Sequence, residues 1–507
     1  MTRKDRALAM LVTGLLLVPC AAHASYQSSS DTGVTALDYI ENNRRAEREN
    51  RLTEEQKQLL ADAEAMKEHL RHPLDTAAPA PVAFEGDDLA YDERTGDFTA
   101  KGDVHILQMD AHRFQGADVS GNLQRQEITI PGKAHILQMT PNMARVTLDG
   151  YRTNYNYATH TGTMADAAGK IDHYYITGKR FEFYPDHYVA YDGTATKCGA
   201  KKPDYHWSAE KMTIYPHDKI VLEKMKFWIK STVLYQRDHY VADLNPQNKH
   251  QDLPTLGYDA DDGVSVEYGI KKPLAKHVDL NLNLRVVQHG GWRSNYEARW
   301  TNRKMSAAVV YGHYEDGDSK WIRRQPSFLW SYGDHIAGSP FYYSLGYEYG
   351  RWYQKGIHSN HTSYDLGIGH DPIKMGTYTL YLHTGYNLTK ESYDGSKVQG
   401  LTFDGVLTKD FDARWAAYVG YHYSKKNARN SLFDYETDDF SKKLEGGFSY
   451  RLDDRNRFVV GTRYNLDAGK WDDIDYYWYH DMHCSELILR YRSKRNTWGI
   501  RFEFTPW

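Results

Sequence analysis

The run HDMHC, His480 to Cys484, sets two histidines and a thiol at a spacing that could hold a metal ion. A zinc site usually needs four convergent ligands, and none stands nearby to complete the set, so no metal is expected. Asp and Glu abound, yet no two are placed as a general acid and base. The chain has no G-x-S-x-G, no H-E-x-x-H and no P-loop. It therefore reads as a non-enzyme without a cofactor, and nothing in it favours a barrel-type lipase or protease. The formal net charge of −4 points to no nucleic-acid partner. The remaining chemistry lies in two downstream cysteines, Cys198 and Cys484, and in many apolar and aromatic side chains set in short alternating runs.

The elements that carry these side chains fall into consecutive regions. Residues 1–24 read as a secretory signal: basic Arg3, Lys4 and Arg6, an apolar core from Ala7 to Pro19, and an A-x-A cleavage site at Ala22–Ala24. Pro19 before Cys20 fits a lipoprotein signal poorly. Residues 25–76 form a helical segment, glycine- and proline-free from Thr35 to His72. Its thin apolar stripe (Leu37, Ile40, Leu52, Leu59, Leu60, Met66, Leu70) predicts a solvated helix or helix pair, with a coiled coil as the less regular alternative. DTAAPAPVA, from Asp75, is a linker. Residues 84–245 are short strands with Gly/Asp/Asn turns, and HILQM occurs in them twice, at His105 and again at His135. Such self-similarity indicates stacked β units, with HILQM one rung written twice.

From 263 to 507 strands alternate with turns and no helix intervenes. In VDLNLNLRVV, Leu280, Leu282 and Leu284 share one face while Asn281, Asn283 and Arg285 share the other. The last segment sets Trp498, Ile500, Phe502 and Phe504 against Gly499, Arg501 and Glu503. With 41 Tyr and 12 Trp at a mean hydropathy of −0.73, this is the composition of an exported transmembrane β-barrel rather than of a soluble all-β protein. About fourteen strands are expected, an even number being usual in bacterial barrels.

The arrangement resembles the LPS-assembly outer-membrane protein family LptD (OstA). The resemblance rests on ATKCGAKKPDYHW from Ala195, on LGYDADDGVSVEYG from Leu256 and on DMHCSELILRYRSKRNTWGIRFEF from Asp481. The barrel is shorter than the family's. Its pair of adjacent late cysteines is here the single Cys484, and its early cysteine is missing. The resemblance implies a periplasmic β-jellyroll at 84–245 and a barrel at 263–507 in the bacterial outer membrane. It implies lipopolysaccharide or a related glycolipid as cargo, delivered by a periplasmic jellyroll bridge protein of the Lpt type. The barrel-assembly machinery and an outer-membrane plug lipoprotein are the other implied partners. A passive porin with a periplasmic extension is the competing reading.

In such a translocon, inward apolar side chains would carry acyl chains. Ile106, Met109, Phe114, Ile128, Ile136, Met139, Phe181, Phe183, Trp207 and Met225 are the candidates, although each could equally fill a jellyroll core. A lateral gate between first and last barrel strands needs weak pairing. Pro273, placed just after the first candidate strand, and Pro506, at the chain's end, are candidates because proline removes a ladder donor. The resemblance also implies a Cys198–Cys484 disulfide; the alternative is two unpaired buried thiols.

Overall fold

The computed structural model describes residues 32–68, 81–141, 143–200, 202–244, 253–316, 320–425, 430–435 and 440–504. The signal segment and Pro506 lie outside the described residues. The described residues divide into two compact units, 48–244 and 32–47 joined to 253–504. Among the described residues two helices precede the strands, α1 (Thr32–Asn50) and α2 (Glu54–Glu68). Most of α1 belongs to the barrel unit and α2 to the other, so the expected single helical segment is split between them.

In the first β unit Val82–Glu85 and Asp88–Tyr91 both pair with Asp97–Gln108, and from there each strand pairs antiparallel with the next in chain order to Thr232–Asp243. Among the described residues no strand crosses over another, whereas a Greek-key jellyroll interleaves its strands; what is present is the coarser feature, an antiparallel β-domain. The two HILQM copies lie on Asp97–Gln108 and Glu127–Gln138, both of which flank His112–Asn122. Ile106 and Ile136 both register with Phe114. The same row continues through Leu148, Gly169, Ile176, Ala195 and Trp207 to Phe227. Register breaks at Lys101/Val104, Gly116/Ser120 and Ile130/Lys133 fall on successive strands. Bulges bend a strand and sharpen its twist. Gly102 sits in the first of them at φ +94, where a Cβ would meet Asp87 Oδ2 at 2.2 Å. The bent sheet brings His112 and Tyr155 to a ring separation of 5.2 Å, although they stand in different register rows.

Helix α2 covers the other face of the HILQM strands. Its start is a reciprocal cap, Gln56 N–H donating to Thr53 Oγ1 (3.2 Å) and Thr53 N–H to Gln56 Oε1 (3.1 Å). Buried Leu59 and Ala63 pack on Ala111 and Leu137, with Leu107 and Met139 at the margin. Glu55 lies 2.9 Å from Arg113 and 3.1 Å from His135. So each HILQM copy sends its Ile inward and its Leu to the helix.

The second unit is a closed antiparallel barrel from Thr255–Asp259 to Thr497–Phe504. Gly291–Trp292 and Asn295–Thr301 both pair with Val278–Val287 and count as one interrupted strand, which gives sixteen among the described residues. This exceeds the expected fourteen. One extra strand, Thr255–Asp259, precedes residue 263 and is too short to show as a sequence pattern. Connections are also shorter than the estimate allowed, with only residues 276–277, 355–356 and 376–377 separating some neighbours.

Candidate functional site

Along the barrel strands polarity runs opposite to that of a soluble protein. On Trp415–Ser424 the buried side chains include Tyr418, His422 and Ser424, while Trp415 and Val419 are exposed. On Lys397–Asp410, Thr402 and Thr408 are buried while Leu401 and Phe403 are exposed. The buried side is dense in ion pairs: Arg285–Glu315 (2.7 Å), Arg324–Glu348 (2.9 Å) and Lys443–Glu445 (2.8 Å). Asn281 and Arg285 of the predicted polar face both bond across the lumen side. Apolar outside and polar inside is the polarity of a barrel that crosses a bilayer.

Among the described residues the closing seam is short: Thr255–Asp259 meets the last strand in four register pairs, Leu256 with Phe502 through Asp259 with Gly499, whereas Phe341–Gln354 meets its neighbour in fourteen. The first strand pairs with the second, Gly263–Ala275, only through Glu267. From Tyr268 to Ala275 the second strand therefore has a ladder on one side alone among the described residues. Pro273 lies within this one-sided stretch, beside a register break, rather than after the first strand as expected.

Helix α1 occupies the lumen. Its inward stripe begins apolar, with Val34 and Leu37 packed on Val406, Ala416, Tyr418 and Val459. It continues as charge. Asp38 pairs with Arg457 and accepts from Tyr479 Oη at 3.2 Å. Glu41 pairs with Arg451, Arg44 with Asp410, and Arg45 with Glu486 at 3.0 Å. Arg44 also donates to the Trp415 carbonyl at 2.9 Å. These charged residues were missed in the sequence. The signal was present, because Val34, Leu37, Asp38, Glu41, Arg44 and Arg45 share one face at helical spacing. Between this helix and the seam lies a cavity of about 400 Å³, lined by Asp38, Glu41, Arg45, Tyr258, Arg501 and Glu503 among others. On the connection that follows Trp415–Ser424, Phe433 and Tyr435 are buried against Ile322 and Trp352. Asp434 N–H donates to Gln354 Oε1 at 3.1 Å.

Of the acyl-slot candidates, Ile106, Phe114, Ile136 and Trp207 share one register row. Ile128 and Phe183 lie on a second, through Tyr155 and Gly162, and Phe181 on a third with Met164 and Ala190. Met225 follows Lys224, whose φ is positive, on Lys219–Ile229, and Met109 follows a strand end; both are buried. Met139 is the exception: it faces α2 with Leu137, because it stands an odd number of residues from Ile136. The interior holds polar groups as well. Gln138 Nε2 donates to Tyr188 Oη (3.2 Å), and Tyr155 Oη stands 3.2 Å from His160 Nδ1. Burial pushes the His112 imidazole down to about 3, raises the Tyr155 hydroxyl and raises the Asp110 carboxyl.

The HDMHC side chains are engaged otherwise. His480 Nδ1 is 2.9 Å from Asn456 Oδ1, and His483 Nε2 3.1 Å from Arg455. Cys484 is joined to Cys198 in a disulfide.

No family model and no curated protein matches the chain. Among solved structures it is similar to a mutant of the Rh. blastica porin, at 10% identity over 50% of this chain and 97% of that one, with a TM-score of 0.30. It is also similar to Salmonella typhi OmpF in complex with daunomycin, at 11% identity over 50% and 96%, with a TM-score of 0.28. At these scores the barrel assignment rests on the chain's own strand pairing.

Proposed function

We propose that this chain is an outer-membrane translocon of the LptD type. It takes lipopolysaccharide or a related glycolipid from a periplasmic bridge protein into the interior of its N-terminal β unit, and releases it to the outer leaflet between first and last barrel strands. The barrel-assembly machinery would insert it. The observation that carries this reading is the seam. Among the described residues the first and last strands share four register pairs, which leaves few ladder bonds to part, and Pro273 on the neighbouring second strand supplies no backbone donor. A barrel that never opens gains from a fully paired closure, because unsatisfied backbone groups are costly in hydrocarbon.

The seam can be locked. Tyr258 and Ile500 are register partners, and the Cα spacing of facing residues, about 4.5–5.5 Å, suits a disulfide. In cells whose only copy carries Tyr258→Cys with Ile500→Cys, cross-linking should stop new glycolipid from reaching the surface, while each single variant delivers it. Normal delivery with the seam fully cross-linked would sink the proposal.

A second reading, the passive porin, is favoured by Phe433 and Tyr435, which turn inward as a constriction would. Under it, purified protein would pass large steady currents in planar bilayers, and the seam lock would change nothing.

A further inference from the structure

We infer that α1 is a releasable plug of the barrel, supplied by the chain itself, and that the lumen conducts only when the helix leaves. The inference goes beyond the cargo reading and does not depend on it. The mode of attachment carries it. A helix meant to stay would bury an apolar stripe along its length. Here Val34 and Leu37 are buried and Ile40 packs partly buried beside them, while the same and the following turn are fastened by Asp38, Glu41, Arg44 and Arg45 to Arg457, Arg451, Asp410 and Glu486. Such pairs fix register, but most of these side chains are largely buried, and the desolvation they suffer offsets the Coulombic gain, so a pair that is rehydrated when the helix leaves adds little net cost. The helix also forms one wall of the 400 Å³ cavity whose other wall is the seam. Its departure would widen the polar space beside the seam.

The test uses the full-length chain in planar bilayers. Asp38→Lys with Glu41→Lys sets like charges against Arg457 and Arg451 and should raise conductance severalfold. Native-level conductance in a variant that still migrates as a folded, heat-modifiable barrel would overturn the inference. If that variant fails to assemble, Asp38→Asn with Glu41→Gln serves instead and should raise conductance less.

A second measurement pins the helix. Val34 Cγ2 lies 2.8 Å from where a Cβ on Gly461 would stand. Val34→Cys with Gly461→Cys, oxidised in the charge-altered background, should return conductance to the native level, and reductant should release it. Reductant on the native chain is the control for Cys198–Cys484. Equal conductance of pinned and unpinned protein would overturn the plug. Because the readout is ionic current, failure of the glycolipid reading would leave these outcomes unchanged.

Discussion

Ile136 and Leu137 are adjacent, yet one fills the interior of the β unit and the other holds α2. The period of two makes that division legible in HILQM, and Ile106, Phe114 and Ile136 lie buried in one register row. It fails at Met139, which was grouped with Ile136 by chemistry rather than by parity. His112 was not singled out, because nothing in an isolated HRF run says that the ring will be fully enclosed. Its imidazole ordinarily titrates near 6.5 and is pushed down to about 3 in the fold. Between those values the folded chain binds fewer protons than the unfolded one, so acid weakens the fold there. Stability of the N-terminal unit should lose up to about 1.4 kcal/mol per pH unit from this group as pH falls below 6.5. His112→Gln should remove that contribution. His160 acts on the same ring, and the buried Asp110, with its raised carboxyl, works in the opposite direction. Urea unfolding of both proteins at pH 7, 6 and 5 measures the difference in slope; equal slopes would refute it.

At the scale of elements, strands were readable and helix placement was not. The last strand alternates as predicted, with Trp498 and Ile500 exposed on one side and Arg501 paired with Glu503 at 3.0 Å on the other. Phe502 and Phe504 continue the outward row, their rings 5.3 Å apart. Replacing both with arginine should cost roughly 2–4 kcal/mol each if they lie near the bilayer midplane, and less towards an interface. Assembly follows from the heat-modifiable, folded fraction in outer-membrane extracts. A double variant that accumulates like the native chain would contradict this facing. The helical segment was read as solvated because its apolar stripe is thin. A lumen is itself solvated and charged, so α1 needs only a thin stripe to sit there, while α2 uses Leu59 and Ala63 on the β unit. One composition served two destinations.

For the whole molecule, the Cys198–Cys484 bond links residues 286 positions apart (484 − 198). The chain-entropy model gives roughly 5 kcal/mol for so long a loop, though measured gains are often lower. Envelope protein on a non-reducing gel should show a mobility shift that Cys198→Ser and Cys484→Ser each abolish. Two alkylated thiols in freshly isolated protein would refute the bond in the cell.

What the sequence determined by itself was local and periodic: alternation, turn residues and aromatic content suffice to call a β unit followed by a barrel. They do so because strand facing depends on neighbours two residues away. The disulfide came from the family resemblance rather than from alternation. Tertiary structure alone decided the rest. Barrel closure on Thr255–Asp259, the four-pair seam and the docking of Asp38, Glu41, Arg44 and Arg45 join residues hundreds of positions apart. Such contacts depend on where the sheet closes, and no spacing within a short stretch encodes that.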